Sequence, residues 1–218
     1  MIEVFSSAAE AADVAATLIS AKLQEGLTAR GRANLVATGG RSPGPVYDRL
    51  AAMPLDWSRV TVTLSDERCV APDAPESNAR LVRQRLLQGP AAAARFLPLW
   101  PAPDPAALQD LTPFDAVMLG MGEDGHIASL IPGDPGLQDA LTTSDLIRPV
   151  PAGLGKPQVA RITLTLSALL NARAIFLLIS GETKRQVLQR VLAGGNLPVG
   201  RLLSKAKVPV RILWSPEG

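Results

Sequence analysis

The chain has few of the residues and patterns that mark several common classes of protein. A single cysteine, Cys69, excludes an intrachain disulfide framework. Basic residues exceed acidic ones by only two and form no block, so the charge pattern does not favour a nucleic-acid partner. No signal peptide opens the chain and no apolar run reaches about 18 residues, so no membrane association is predicted. We therefore expect a soluble protein of a reducing compartment, the cytoplasm.

Aromatic residues are also scarce, at 4% of the chain against a hydrophobic fraction of 47%, which predicts an aliphatic core. The length of 218 residues fits one domain, 1–218. The chain has no paired Cys/His metal spacing, no G-x-S-x-G elbow and no G-x-x-x-x-G-K-[ST] loop. Arginine supplies 17 of the 22 basic residues, which suits the recognition of carboxylate or phosphate groups.

Predicted strands alternate with predicted helices along the chain, which is typical of an α/β fold with a mostly parallel sheet. The strands are expected at 2–5, 34–38, 60–64, 114–119, 160–165, 174–179 and 210–214, with an edge strand at 96–100 and a further strand at 145–150. The helices are expected at 8–29, 44–53, 76–87, 167–172, 197–204 and from the turn that contains Lys184 to about 193. Residues 132–157 are irregular and rich in proline and glycine, so they could cover a site.

The one histidine of the chain, His126, follows the apolar run 114–119, which predicts a buried strand. Chemistry in open α/β sheets sits just beyond the carboxyl ends of such strands, and imidazole titrates near neutrality. His126 is therefore the leading candidate for an acid–base group. Asp124 could hold its tautomer or act as a second acid–base group. The alternative is a solvated turn residue or a structural hydrogen-bond partner.

The same segment contains a literal G-x-G-x-x-G, from Gly120 to Gly125, which is the pattern of a dinucleotide site. Such a site needs a long helix after the glycines and an acid about 20 residues further on. Pro132 and Pro135 cut short any long helix, and the segment lies in the middle of the chain. The dinucleotide hypothesis is therefore not favoured.

Three other predicted strand ends also bear polar or charged residues. After the second strand, a glycine pair lets the backbone approach a ligand, and a helix start with Arg41 and Ser42 would make an anion site. The third strand ends in Asp66, Glu67 and Arg68, which is more charge than a turn needs. Lys184 lies in the first turn of a helix, where the dipole disfavours a cation, which suggests an anion partner. The alternatives are a tight turn, a solvated charge cluster and a surface lysine.

Four of these strand-end segments resemble the 6-phosphogluconolactonase family, in the same order: TGGRSP (38–43), SDERCVAPDAPESNAR (65–80), LGMGEDGHIASLIPG (119–133) and SGETK (180–184). The resemblance spans essentially the whole chain. It implies a three-layer α/β/α fold with a Rossmann-like sheet, shared with the glucosamine-6-phosphate deaminases. It also implies hydrolysis of 6-phospho-D-glucono-1,5-lactone to 6-phospho-D-gluconate, the second step of the oxidative pentose phosphate pathway, with no metal or organic cofactor.

The resemblance also implies roles for particular residues. His126 would activate the attacking water, Asp124 would orient the histidine, and Arg68 of the D-E-R motif would lie near the substrate. Lys184 would lie at the phosphate, and Asp66 would contact the substrate. The phosphate cradle would be formed by Gly39, Gly40, Arg41 and Ser42.

Two other functions stay open as alternatives. A deaminase of the same fold would have a glutamate five places after the histidine, where this chain has Ile131, and a tyrosine in place of Arg68. A non-catalytic sugar-phosphate sensor would need an attached DNA-binding module, and no helix-turn-helix pattern is present. We expect a monomer or small homo-oligomer whose partner is a small sugar-phosphate lactone, with no nucleic acid and no membrane.

Overall fold

Ten strands, eight α-helices and two 3-10 helices, Trp57–Arg59 and Gly89–Ala93, form the regular structure of the computed structural model, which describes residues 2–216. The strands are β1 Ile2–Val4, β2 Ala33–Ala37, β3 Val60–Leu64, β4 Asp66–Arg68, β5 Arg95–Phe96, β6 Ala116–Gly120, β7 Ile147–Val150, β8 Arg161–Leu164, β9 Ile175–Ser180 and β10 Val210–Ser215. The helices are α1 Ala8–Arg30, α2 Gly44–Ala51, α3 Asn78–Arg85, α4 Pro105–Gln109, α5 Leu137–Ala140, α6 Leu166–Leu170, α7 Glu182–Leu192 and α8 Pro198–Lys205.

Seven strands form one parallel sheet in the order β1-β10-β9-β6-β2-β3-β5. From β2 the chain proceeds outward through β3 to β5, whereas from β6 it proceeds the opposite way through β9 to β10. β2 and β6 are neighbours, with Leu35 opposite Ala116, so the direction of the sheet reverses between them. Ligands of open α/β folds bind beyond the carboxyl ends of the strands at such a switch point.

The central strands have apolar side chains on both faces because helices cover the sheet. All five residues of β2 are buried, as are the first four of β6. The long helix α1 packs small side chains against this sheet and buries Ile19 and Leu23 completely. Ser7 caps its first turn by accepting from the Glu10 amide at 3.2 Å, and Gly31 ends it with a φ of 68°. The helix predicted at 8–29 is confirmed.

The edge strand predicted at 96–100 is wrong in its extent. Strand β5 covers only Arg95–Phe96 at the sheet edge, and one further amide, that of Leu97, donates to the Val62 carbonyl at 2.9 Å. Pro98 has no N–H to continue the ladder, so the strand ends there. The strand predicted at 114–119 begins later, at Ala116, because Phe114 makes only an isolated bridge.

A second sheet of three antiparallel strands, in the order β4-β8-β7, extends from the end of β3. The strands expected at 145–150 and 160–165 are confirmed as β7 and β8, in slightly shorter form. Strand β4 was not predicted, since its sequence is a charged tripeptide. It pairs with β8 so that Arg68 lies directly opposite Arg161. No helix within residues 2–216 is both long and apolar enough to cross a membrane.

Candidate active site

A cavity of about 410 Å³ opens at the carboxyl ends of the central strands β2, β3, β6 and β9. It therefore lies at the switch point of the sheet. Eight of the nine predicted site residues line it: Gly39, Gly40, Arg41, Ser42, Asp66, Arg68, His126 and Lys184. The ninth, Asp124, does not line the cavity but contacts the imidazole of His126.

Asp124 and His126 form a hydrogen-bonded pair, with Nδ1 of the ring 2.6 Å from Oδ1 of the carboxylate. The His126 amide also donates to the same oxygen at 3.2 Å. Burial raises the pKa of Asp124, but the hydrogen bond and charge of His126 together outweigh it, so this pKa lies below its usual range. An ionised Asp124 favours the tautomer with the proton on Nδ1, which leaves Nε2 of a neutral ring as a proton acceptor.

Two glycines shape the loop that holds this pair. Gly125 has a φ of 78°, and its amide donates to the Gly122 carbonyl at 3.0 Å. A Cβ atom added to Gly122 would lie 2.2 Å from the His126 ring and 2.5 Å from the Asp124 carboxylate. A side chain there would therefore displace the pair. Gly122 and Gly125 of the G-x-G-x-x-G pattern form this turn, and no long helix follows them.

The loop after β2 forms one wall of the cavity at the start of α2. Gly40 has a φ of 99°, a conformation that favours glycine. A Cβ atom on Gly39 would lie 1.9 Å from Oδ1 of Asn78, so the loop can pack there only without a side chain. The buried Tyr47 hydroxyl donates to the Thr38 carbonyl and accepts from its amide at 2.8 Å, which fixes the end of the strand. Backbone N–H groups at a helix start suit an anion.

Lys184 comes to this wall from the first turn of α7 and is partly buried. Burial lowers the pKa of its ammonium group, Glu123 opposes that change, and the neighbouring Arg41 adds to it. The Ser42 hydroxyl lies 3.4 Å from that of Ser180, so the two strand-end loops meet here. We call Arg41 and Lys184 the first cationic group of the cavity.

The two acids of the D-E-R segment have different environments. Asp66 accepts from the Ser129 hydroxyl at 2.6 Å and the Ser65 hydroxyl at 3.0 Å, and it lines the cavity. Glu67 accepts from the amides of Asn78 and Ala79, each at 2.7 Å, at the start of α3. Glu67 therefore stabilises the first turn of α3, whose N-cap is Ser77, whereas Asp66 faces the cavity.

Sequence reasoning missed several residues that line the cavity, among them Asn78, Glu123, Lys156 and Arg161. Asn78 was predicted only as part of the helix at 76–87, and Arg161 only as part of the strand at 160–165. Asn78 and Arg161 reach the cavity through contacts between distant segments, which no local pattern reveals, whereas Glu123 lies in the loop that holds Asp124 and His126. In the part of the chain that the structure describes, no three His, Cys, Asp or Glu side chains cluster in a way that could hold a metal ion.

The fold is the expected α/β arrangement, with a mostly parallel seven-stranded sheet flanked by helices in three layers and a polar cavity at its switch point. The family model described as "Glucosamine-6-phosphate isomerases/6-phosphogluconolactonase" matches residues 6–214. The chain belongs to this family.

Curated relatives in this family are similar over nearly their full length. A 6-phosphogluconolactonase of Caulobacter vibrioides is 40% identical over an alignment of 225 positions, which covers 98% of this chain and 97% of that protein. One from Rhizobium meliloti is 38% identical, with 99% and 98% covered. A crystal structure of a 6-phosphogluconolactonase from Shewanella baltica superimposes with a TM-score of 0.90 at 37% identity, covering 99% of this chain and 97% of that one. A monomeric glucosamine-6-phosphate deaminase, 19% identical with a TM-score of 0.80, shares the fold.

Proposed function

We propose that this chain is a 6-phosphogluconolactonase, which hydrolyses 6-phospho-D-glucono-1,5-lactone to 6-phospho-D-gluconate in the oxidative pentose phosphate pathway. The curated relatives named above support the activity. The observation that carries the mechanism is the Asp124–His126 pair, whose histidine lines a cavity with cationic side chains. A lactone carbonyl needs an activated water, and a phosphorylated substrate needs a cationic site.

In this mechanism Nε2 of His126 takes a proton from a water molecule as the water oxygen attacks C1 of the lactone. Asp124 stabilises the imidazolium that forms, through the hydrogen bond to Nδ1. The tetrahedral intermediate collapses with cleavage of the bond between C1 and the ring oxygen. His126 returns its proton to that oxygen, which becomes the C5 hydroxyl, and the new carboxylic acid ionises. General base catalysis of this kind contributes roughly 10²–10⁴-fold.

The first cationic group would hold the phosphate of the substrate. Arg41 and Lys184 offer charge, and the backbone of Gly39, Gly40 and Ser42 offers donors at the start of α2. The partial burial of Lys184 costs free energy unless an anion offsets it. Anchoring the phosphate fixes C1 of the sugar relative to His126. Asp66 and Arg68 would then contact the part of the sugar that lies away from the phosphate.

The deaminase alternative needs a carboxylate at position 131. Ile131 is 2% exposed, so the side chain at this position is buried and apolar. The sensor alternative is disfavoured by the pairing of Asp124 with His126, because a binding protein needs no oriented base.

A coupled assay tests the proposed function. Glucose-6-phosphate dehydrogenase generates the lactone, and loss of lactone above the spontaneous rate is measured with wild-type protein and with the His126→Asn variant. Glucosamine 6-phosphate is tested in parallel for release of ammonia. Lactone loss that depends on His126 supports the proposal. Ammonia release without lactone loss would instead indicate a deaminase, and no turnover of either compound would indicate a sensor.

Four further expectations stay predictions: a single domain over 1–218, a monomer or small homo-oligomer, a cytoplasmic location, and a reaction with no metal or organic cofactor. Light scattering on purified protein measures the oligomeric state. Assay after dialysis against a chelator, compared with untreated protein, tests the need for a metal.

A further inference from the structure

Two arginines face each other beside the cavity on the small antiparallel sheet. Arg68 of β4 lies directly opposite Arg161 of β8, and both line the cavity. Directly opposed residues of an antiparallel pair project from the same face, and like charges in this position are destabilising. Arg161 is only 3% exposed, so water screens little of this repulsion. The arrangement is costly unless an anion offsets it.

The hydrogen bonds of Arg161 do not satisfy its guanidinium. Nη2 donates to the Pro157 carbonyl at 2.9 Å, and Nη1 lies 3.4 Å from the Ser129 hydroxyl and 3.9 Å from the Asp66 carboxylate. Within the described residues, the buried Nε atoms of Arg161 and Arg68 have no hydrogen-bond partner. Buried donors of this kind are rare in folded proteins and cost free energy when left unpaired.

The local charge balance is positive. Asp66 is the acid close to Arg161, and it already accepts from the hydroxyls of Ser129 and Ser65. Glu67 projects from the other face of β4 and is occupied by the helix start at α3. Asp66 is thus the carboxylate beside Arg161, whereas Nη1 of Arg68 donates to the neutral carbonyl of Glu76. Burial lowers the pKa of Arg161, Asp66 opposes that change, and Arg68 adds to it.

The position of this arginine pair relative to His126 follows from the intervening loop. Glu123 and Lys184 both line the cavity, where the charge of Glu123 opposes the lowering of the Lys184 pKa, and the Ser129 hydroxyl donates to Asp66 beside Arg161. His126 lies between Glu123 and Ser129 in the chain. The loop thus links the first cationic group to the arginine pair, with the base in its middle. A substrate whose phosphate binds Lys184 would extend past His126 toward Arg161.

We propose that Arg161, together with Arg68, binds the acyl end of the substrate, where it stabilises the negative charge that develops on the C1 oxygen and then the carboxylate of the product. This inference rests on the proposed function and adds to it a residue and a subsite. A guanidinium binds a carboxylate through two parallel hydrogen bonds, and a donor aimed at a developing oxyanion acts mainly on kcat. Asp66 and Ser129 hold the Arg161 side chain in this position.

Binding measurements, which need no turnover, distinguish recognition of the carboxylate from recognition of the phosphate. Titration calorimetry compares 6-phosphogluconate, which has both a phosphate and a carboxylate, with glucitol 6-phosphate, which has only the phosphate. We expect Arg161→Met to weaken 6-phosphogluconate about 10-fold or more, since it removes a charge-assisted pair, and to change glucitol 6-phosphate little. In the lactone assay the same variant should lose about 10²-fold or more in kcat, with a smaller change in KM.

Arg148→Met is the matched control. Arg148 lies on the neighbouring strand β7, pairs with Asp134 and Asp139, and does not line the cavity. Its loss should lower stability in urea but leave the affinity ratio of the two ligands unchanged. Arg161→Lys keeps the charge but lacks the two parallel donors of a guanidinium. Its affinity for 6-phosphogluconate and its kcat should therefore lie between those of wild type and Arg161→Met. If Arg161→Met does not fold, Arg161→Lys provides the test through the ratio of its affinities for 6-phosphogluconate and glucitol 6-phosphate. A ratio equal to that of wild type would overturn the proposal.

Equal weakening of both ligands by Arg161→Met would overturn the assignment to the acyl end, and so would no weakening of either. Equal kcat loss in Arg161→Lys and Arg161→Met would contradict the role of charge. The proposed function is judged separately, by lactone loss with the wild-type protein. A wild type without lactonase activity would refute that function, while the affinity ratio would still report whether a carboxylate binds at Arg161.

Discussion

Carboxylates lie at two strand ends of the cavity, but they differ in exposure and in the groups that they contact. Asp124, after β6, is 47% exposed in its side chain, and its partner is an imidazole that can gain or lose a proton. Asp66 and Glu67, after β3, are 4% and 2% exposed. Their partners are hydroxyls, backbone amides, an asparagine amide and arginine, none of which changes charge near neutral pH.

The comparison shows that the environment of a carboxylate determines whether its role is structural or part of acid–base chemistry. A buried carboxylate with fixed donors keeps its charge and organises other groups, as Glu67 organises the start of α3. A carboxylate at the surface beside a histidine can respond when the histidine takes up a proton. Substitutions of Asp124 and Glu67 should therefore affect different quantities, kcat for Asp124 and stability for Glu67.

The largest effect is expected for His126→Asn. Asparagine can keep a hydrogen bond to Asp124 but cannot take a proton from water, so kcat should fall about 10²–10⁴-fold. The coupled lactone assay measures this, and affinity for glucitol 6-phosphate should stay close to wild type. A His126→Asn protein with near-normal kcat would show that the histidine is not the base.

A smaller loss is expected for Asp124→Asn, since the base is retained but its tautomer and imidazolium are no longer supported. We expect kcat to fall about 10²-fold, because an asparagine at this place can favour the wrong tautomer. The double variant Asp124→Asn/His126→Asn should be no worse than His126→Asn alone, because the two residues act as one unit. Fully additive losses would mean that Asp124 acts independently of the ring.

Lys184→Ala should mainly raise KM, by about 10-fold, since it removes one charge-assisted contact to the phosphate.

The affinity of the wild-type protein for glucitol 6-phosphate should depend on pH through Lys184. The pKa of Lys184 lies below the ordinary lysine value of 10.5, so the affinity should fall at a lower pH than it would with an ordinary lysine. Lys184→Arg should flatten this alkaline loss, because arginine does not titrate there. Lys205→Ala, at an exposed lysine of α8, is the control. An unchanged KM in Lys184→Ala would remove the residue from the phosphate site.

The smallest effect on activity is expected for Glu67→Gln. The neutral side chain loses its charge-assisted bonds to the amides of Asn78 and Ala79, which should lower the free energy of unfolding by about 1–3 kcal/mol. Urea denaturation measures this change, and kcat should stay near wild type. Glu76→Gln, at an exposed position in the same loop, should have almost no effect on either quantity. A Glu67→Gln protein with normal stability but low kcat would break the contrast between the two strand ends.

Most of the parallel sheet could be predicted from the sequence because its signals are local. Buried strands such as β2 and β9 are continuous apolar runs, and Ser7 and Gly31 mark the ends of α1. The second sheet could not be predicted in the same way, because β4 is a charged tripeptide whose pairing with β8 depends on a distant segment. Position in the sheet, rather than local composition, decides that Asp66–Arg68 is a strand.

The same distinction between local signals and contacts with distant segments applies to the residues of the candidate site. His126, Lys184 and the glycine loop after β2 were found because strand ends and motifs are visible in the sequence, and the structure brings them to one cavity. Arg161 was missed because nothing local distinguishes it from any arginine in a strand. The separate roles of Asp66 and Glu67 could not be predicted either, because they depend on the contact of β4 with α3.

The lack of space at Gly122 has a consequence for comparing sequences in this family. A methyl group there would occupy the volume of the imidazole itself, so even alanine is incompatible with the present position of the ring. A motif search that scores only the aspartate and histidine of D-G-H would therefore accept chains in which the pair cannot form. Requiring glycine four positions before the histidine adds a steric criterion, and it separates chains that retain the residues from chains that can retain their geometry.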